Sequence, residues 1–193
     1  MLLNLSSLAG LFALVILSFN FSLGLLLATA YKRSTLWKKL PGLIQSADVN
    51  AIHNWTAYVA LSLIFLHPLL LVLDPGSHFH ISQVLTLKTA PHQSFWVALG
   101  VISLYSVILL IVTTQKAIKR KMGFRFWKNI HLISYLTVLL VCLHGIFMDP
   151  ELKDRSPDFL DGEKLVCEAC MLLLIITSVI RFRYHRKQLS LKT

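Results

Sequence analysis

Charge is what this chain has least of. Only 15% of its 193 residues are Asp, Glu, Lys or Arg, and acidic residues number nine against nineteen basic ones. A soluble domain carries roughly a quarter charged residues, so a water-exposed globule of this length is excluded. Cysteine is scarce too, and three residues cannot make a disulfide framework. No G-x-G-x-x-G occurs, so the chain carries no dinucleotide-binding fingerprint. Repeats of solenoid type are missing. The N-terminus lacks a basic leader: Met1-Leu2-Leu3-Asn4 has no Lys or Arg, and no A-x-A-like cut site precedes Tyr31-Lys32-Arg33. The first apolar run is therefore read as a retained spanning helix and not as a signal peptide.

What fills the space is apolar. Hydrophobic residues make up 55% and the mean hydropathy is +0.67. Five stretches, at roughly 8–30, 50–73, 94–114, 129–148 and 165–180, approach the ~20 residues that cross a hydrocarbon core. Backbone groups in lipid must bond within their own segment, and helices do this without a sheet edge. The expected fold is all-α: an integral membrane bundle of about five transmembrane helices, with residues 1–193 as a single domain.

The few charges are placed unevenly. Fifteen of the nineteen basic residues follow the first, third and fifth stretches, and only Lys88, Lys153, Arg155 and Lys164 belong to the other two connections. The positive-inside rule puts the richer segments in the cytoplasm. The N-terminus is then outside and the C-terminus inside, in what we expect to be a bacterial inner (plasma) membrane. An acidic run (Asp149, Glu151, Asp154, Asp158, Asp161 and Glu163) falls in an outer loop. The basic segments read as topology signals and contacts to anionic lipid, not as a nucleic-acid surface.

Four histidines stand out against this background. His53 and His67 lie fourteen positions apart in the second stretch, and His131 and His144 thirteen apart in the fourth. Either spacing separates two side chains by about 20 Å along a helix axis, most of a hydrocarbon core about 30 Å thick. Both helices begin at the cytoplasmic face and run parallel. His53 and His131 therefore share the inner depth, and His67 and His144 the outer. Polar groups in hydrocarbon are costly and are usually functional. Imidazole is a good iron ligand, and two bis-histidine sites stacked across a bilayer suit a pair of b-type hemes. Zinc is a poorer match, because a closed zinc site wants four ligands in one cluster. One geometric count goes against the scheme. At 100° per residue His53 and His67 share a helix face, but His131 and His144 fall about 140° apart.

The stretch Phe126-Trp127-Lys128-Asn129-Ile130-His131-Leu132-Ile133-Ser134-Tyr135 resembles the W-[RK]-x-x-H-x-x-x-Y signature of the ferric reductase-like transmembrane domain. That family includes ferric-chelate reductases, NADPH oxidases and the heme subunit of a bacterial methionine-sulfoxide reductase system. The resemblance covers about residues 50–148. It implies two hemes b, one held by His53 with His131 and one by His67 with His144. Members that oxidise NADPH carry flavin- and nicotinamide-binding domains after the membrane part. No such domain is expected within these 193 residues, and five spans are fewer than the six common in the family. The implied donor is then separate: a cytoplasmic flavoprotein or a quinol, bringing its own flavin or quinone.

Other residues join the candidate sites. Trp55, Phe65 and Tyr135 are placed to line the hemes or to pack as bundle aromatics. Arg33, Arg125 and Lys128 lie at the inner interface, where propionates or lipid phosphates would both attract them. Pro68 directly follows His67 and is expected to remove a backbone donor there. His78, His80 and His92 share an outer loop that could coordinate an ion. Cys167 and Cys170 form a C-x-x-C on one helix face, and Cys142 reads as a small packing residue.

The expected function is a diheme b-type cytochrome passing electrons from the cytoplasmic side to an outer protein or ferric complex. Two alternatives stand beside it: a quinol-linked diheme cytochrome b, and a self-contained reductase of ferric chelate or oxygen at the outer heme.

Overall fold

A computed structural model describes residues 1–190; residues 191–193, including Lys192 of the basic tail, lie outside the described residues. The described chain is all-helical, with no strand among the described residues. Five helices are long and apolar enough to span a membrane: α1 (Leu2–Leu27), α2 (Val49–Leu73), α3 (Ser94–Thr114), α4 (Phe124–Phe147) and α5 (Gly162–Ser190).

Local chemistry sets the helix ends. Asp48 caps α2, its carboxylate accepting the N–H groups of Asn50 and Ala51 at 3.1 Å each. Gly123 precedes α4 at φ +77°, a left-handed conformation that glycine adopts without steric cost. Pro68 lies inside α2, which stays helical through it. The serine hydroxyl of Ser6, on α1, donates to the carbonyl of His67 at 2.8 Å, just before the position where proline withholds a donor. α5 runs well past the apolar stretch expected at 165–180, because its basic end continues the same helix beyond the hydrophobic segment.

α4 is not one uninterrupted helix. It consists of Phe124–His131 and Ile133–Phe147, joined at Leu132. The N–H of Tyr135 bonds the carbonyl of Leu132, a tighter i→i+3 turn. A constant 100° per residue therefore cannot be carried from His131 to His144, and the geometric objection raised by the sequence falls away.

α1 packs along α2 and also touches α5 and α4; α4 in turn packs on α3 and α5. By contrast, α2 and α4 do not pack closely on each other. The space between them forms two clefts at different depths. Between the clefts lies an apolar layer built from Leu14, Leu17, Ala60, Val107, Val138 and Cys142, all buried. Ala60 stands midway between His53 and His67, and Val107 seven residues beyond Gly100, so the layer occupies the middle of the bundle. A second cluster (Leu71, Phe79, Val84, Val97 and Val101 among it) closes the outer end. Large apolar side chains such as Phe12, Phe19, Leu69, Leu109 and Leu172 point outward. In hydrocarbon that exposure is favourable, and the chain is an integral membrane protein.

Candidate functional site

The four histidines meet in two pairs. His53 and His131 face each other across one cleft, called inner after the side that loop charge leads one to expect, with ring centres 6.4 Å apart and ring planes at 73°. His67 and His144 face each other across the outer cleft, at 6.3 Å and 76°. Counting their open mouths, the clefts enclose about 1950 Å³ and 1260 Å³. The near-identity of the two pairs is a result of packing, since the histidines of each pair come from helices that hardly touch.

Three of the four imidazoles are oriented by a backbone carbonyl. His53 Nδ1 lies 3.0 Å from the carbonyl oxygen of Asn20, His67 Nδ1 2.8 Å from that of Ser6, and His144 Nδ1 2.7 Å from that of Trp96. A carbonyl only accepts, so each of these nitrogens must carry the proton. The tautomer is thereby set, and Nε2 keeps its lone pair for a ligand in the cleft.

A short pattern in the partner helices produces this arrangement. Four residues after each accepting carbonyl comes a glycine: Ser6 and Gly10, Asn20 and Gly24, Trp96 and Gly100. A Cβ on Gly10 would lie 3.0 Å from His67, on Gly24 3.1 Å from His53, and on Gly100 3.0 Å from His144. Each glycine leaves the room in which the ring lies. On α1 the polar residue also grips the histidine's own backbone: Ser6 Oγ donates to the carbonyl of His67, and Asn20 Nδ2 to that of His53.

The fourth histidine breaks the pattern. His131 Nδ1 is buried with no hydrogen-bond partner. On α3, the carbonyls about fourteen residues beyond Trp96 are those of Leu109 and Leu110, and both already accept the Thr113 hydroxyl, at 2.8 and 3.0 Å. Thr114 stands where the glycine would recur. His131 is held instead by stacking. The Trp127 ring lies 5.1 Å from it at 23°, and Lys119 Nζ sits 3.6 Å from the centre of the Trp127 ring. Trp127 Nε1 is likewise buried without a partner, so two unpaired ring nitrogens face the inner site.

The remaining candidates fall into groups. Tyr135 lines the inner cleft and packs edge-on against Phe21. Lys128 lines it too, joined by Lys119 and Arg181. Arg33 and Arg125 are exposed and line neither cleft; Trp55, 71% exposed, points to the lipid side, as does Phe65. His92 pairs with Asp154 at 3.0 Å. No cluster of three or more His, Cys, Asp or Glu able to hold a metal occurs among the described residues. Cys142, Cys167 and Cys170 are buried free thiols in the core layer.

Ser6, Gly10, Asn20, Gly24, Trp96 and Gly100 were not among the residues expected from the sequence; the first four lie outside the stretch 50–148 that carries the resemblance. A signal for part of this set existed. Ser6-x₃-Gly10 and Asn20-x₃-Gly24 are spaced by fourteen, the same interval as His53 and His67, as two antiparallel helices in register require.

No curated protein matches this chain. The family described as "Ferric reductase like transmembrane component" matches residues 9–142, which take in α1 with Gly10, Asn20 and Gly24 as well as His53, His67 and His131. The match covers well over half of the chain, and the bundle it meets is the all-α membrane bundle described above. The chain therefore belongs to the ferric reductase-like transmembrane family and is a membrane electron-transfer component.

Proposed function

We propose that this protein is a diheme b-type cytochrome, with one heme between His53 and His131 and one between His67 and His144. The observation that carries the reading is the pair of equal ring separations, 6.4 and 6.3 Å. A metal–imidazole bond of about 2 Å on each side, with about 1.2 Å from ring nitrogen to ring centre, amounts to roughly 6.3 Å. Two imidazoles gripping one metal ion from opposite sides would stand at this distance. The proton on Nδ1 of His53, His67 and His144 supports it independently, because it leaves Nε2 free to ligate. The clefts are apolar over most of their walls, as a porphyrin requires.

Heme bound by two histidines has no open coordination position and exchanges electrons without binding substrate at the iron. The protein's own residues do the rest. Gly10, Gly24 and Gly100 admit the rings. The Ser6, Asn20 and Trp96 carbonyls orient them and make them better donors. The core layer from Leu14 to Cys142 keeps water out of the space between the two sites. Loop charge orients the inner pair to the cytoplasm. The donor is a cytoplasmic flavoprotein or a quinol on that side, and the acceptor an outer protein or ferric complex. The purified chain should show a reducible b-type spectrum with about two hemes per polypeptide. A colourless protein after heme-supplemented expression would refute the proposal.

A further inference from the structure

Among the described residues, Lys164 is the one Lys or Arg that lines the outer cleft. It lies in the first turn of α5 and is only 4% exposed. Its Nζ donates to the carbonyl of Gly145 at 2.9 Å and to that of Met148. Those are carbonyls that α4 leaves open at its C-terminal end, where positive charge is favoured. Gly145 directly follows His144, so the ammonium is held against the helical turn that carries one of the outer histidines.

Nothing among the described residues balances this charge at contact distance. No carboxylate forms an ion pair with Lys164. Two carboxylates line the same cleft, and both have other partners. Asp149 accepts the N–H groups of Glu151, Lys153 and Arg155. Glu163 accepts the Ser7 hydroxyl at 2.8 Å. An ammonium has three donors, and two are used. A neutral Gln or Ser would cap the end of α4 without the cost of burying a charge within a spanning helix. Asp149, Asp161 and Glu163 lie near enough to attract the ammonium without reaching it, and its third donor is left for an anionic group in the cleft.

We infer that Lys164 is the fixed cation of the outer site, pairing with a carboxylate of the cofactor held by His67 and His144 and favouring the arrival of an electron there. This rests on the diheme reading and extends it. Lys164 falls outside the segment 9–142 matched to the family. The physical reason is direct: reduction adds a negative charge within reach of a buried ammonium in a low-dielectric site, which stabilises the reduced form. The inner cleft is lined by three cations of its own, with Lys119 and Arg181 half-buried and Lys128 exposed.

The test is an anaerobic redox titration of the full-length purified protein, its K164M variant and its K164R variant. The outer component is identified as the one missing in H144A. K164M should lower the equilibrium constant for reducing the outer component about tenfold, equal to a fall of about 59 mV for one electron, and leave the inner component in place. K164R should hold it within about threefold. If K164M loses the outer heme altogether, retention by K164R supports the inference, and loss in K164R as well overturns it. Two hemes with an outer midpoint unmoved by K164M would overturn the role of Lys164 alone. A wild-type chain without heme would overturn both this and the diheme reading.

Discussion

Replacing Gly100 by alanine sets two physical effects against each other. Within α3 alone the change should help, since alanine is favoured over glycine in a helix interior by about 0.8–1.0 kcal/mol. The site says the reverse. The new Cβ would lie 3.0 Å from Cε1 and 3.1 Å from Nδ1 of His144, closer than side-chain carbons pack. Overpacking of this kind costs about 1–3 kcal/mol. A ring pushed away from Trp96 also gives up its 2.7 Å hydrogen bond, worth about 0.5–1.5 kcal/mol. After the helix gain is subtracted, a loss of about 1–3 kcal/mol remains. At about 1.4 kcal/mol per tenfold, the outer cofactor should bind roughly 5- to 150-fold more weakly. The inner component should be unchanged, because Gly100 does not line its cleft. The assay is cofactor occupancy by reduced-minus-oxidised spectra, with G42A as control, since a Cβ there meets nothing within 4 Å. A G100A protein that keeps both components at full occupancy and melts at a higher temperature would show that the glycine serves only the helix and that the cradle argument is wrong.

Further predictions concern the same pairs and the outer loop. H67A and H144A should each remove the same spectral component, and the double variant should remove no more than either single one; loss of two different components would break the pairing. N20A takes a donor from the His53 carbonyl and from Thr56 and should lower stability by about 1–3 kcal/mol, most visibly as a looser inner component in thermal melts. D149A removes the acceptor of three loop N–H groups, and hydrogen exchange should rise across residues 149–155 while both hemes stay bound.

The bundle itself was legible in the chain because hydrocarbon leaves so few options. Five apolar stretches, with Glu168 the one charge inside them, must be helices, and their flanking lysines and arginines place the histidines at matched depths before any coordinates are known. The extent of α5 was not legible, since a hydropathy pattern ends where the membrane does and a helix need not. Nor was the interruption at Leu132. The sequence Asn129-Ile130-His131-Leu132 contains no proline or glycine, and the tighter turn there follows from how α4 lies against its neighbours. The glycines escaped for a different reason. A glycine in a spanning helix is common, and Gly10, Gly24 and Gly100 gain meaning only when the ring each one admits is known to lie opposite.

Residue order alone thus decided that this is a membrane bundle and which imidazoles share a depth, because these depend on local polarity and on helical rise. Only the tertiary structure decided which carbonyl orients each ring, that His131 has no such carbonyl and leans on Trp127, and that Lys164 is turned inward to the outer cleft. Those are properties of contacts between helices, and a hydrogen bond spanning tens of residues leaves no periodicity in one strand of sequence to betray it.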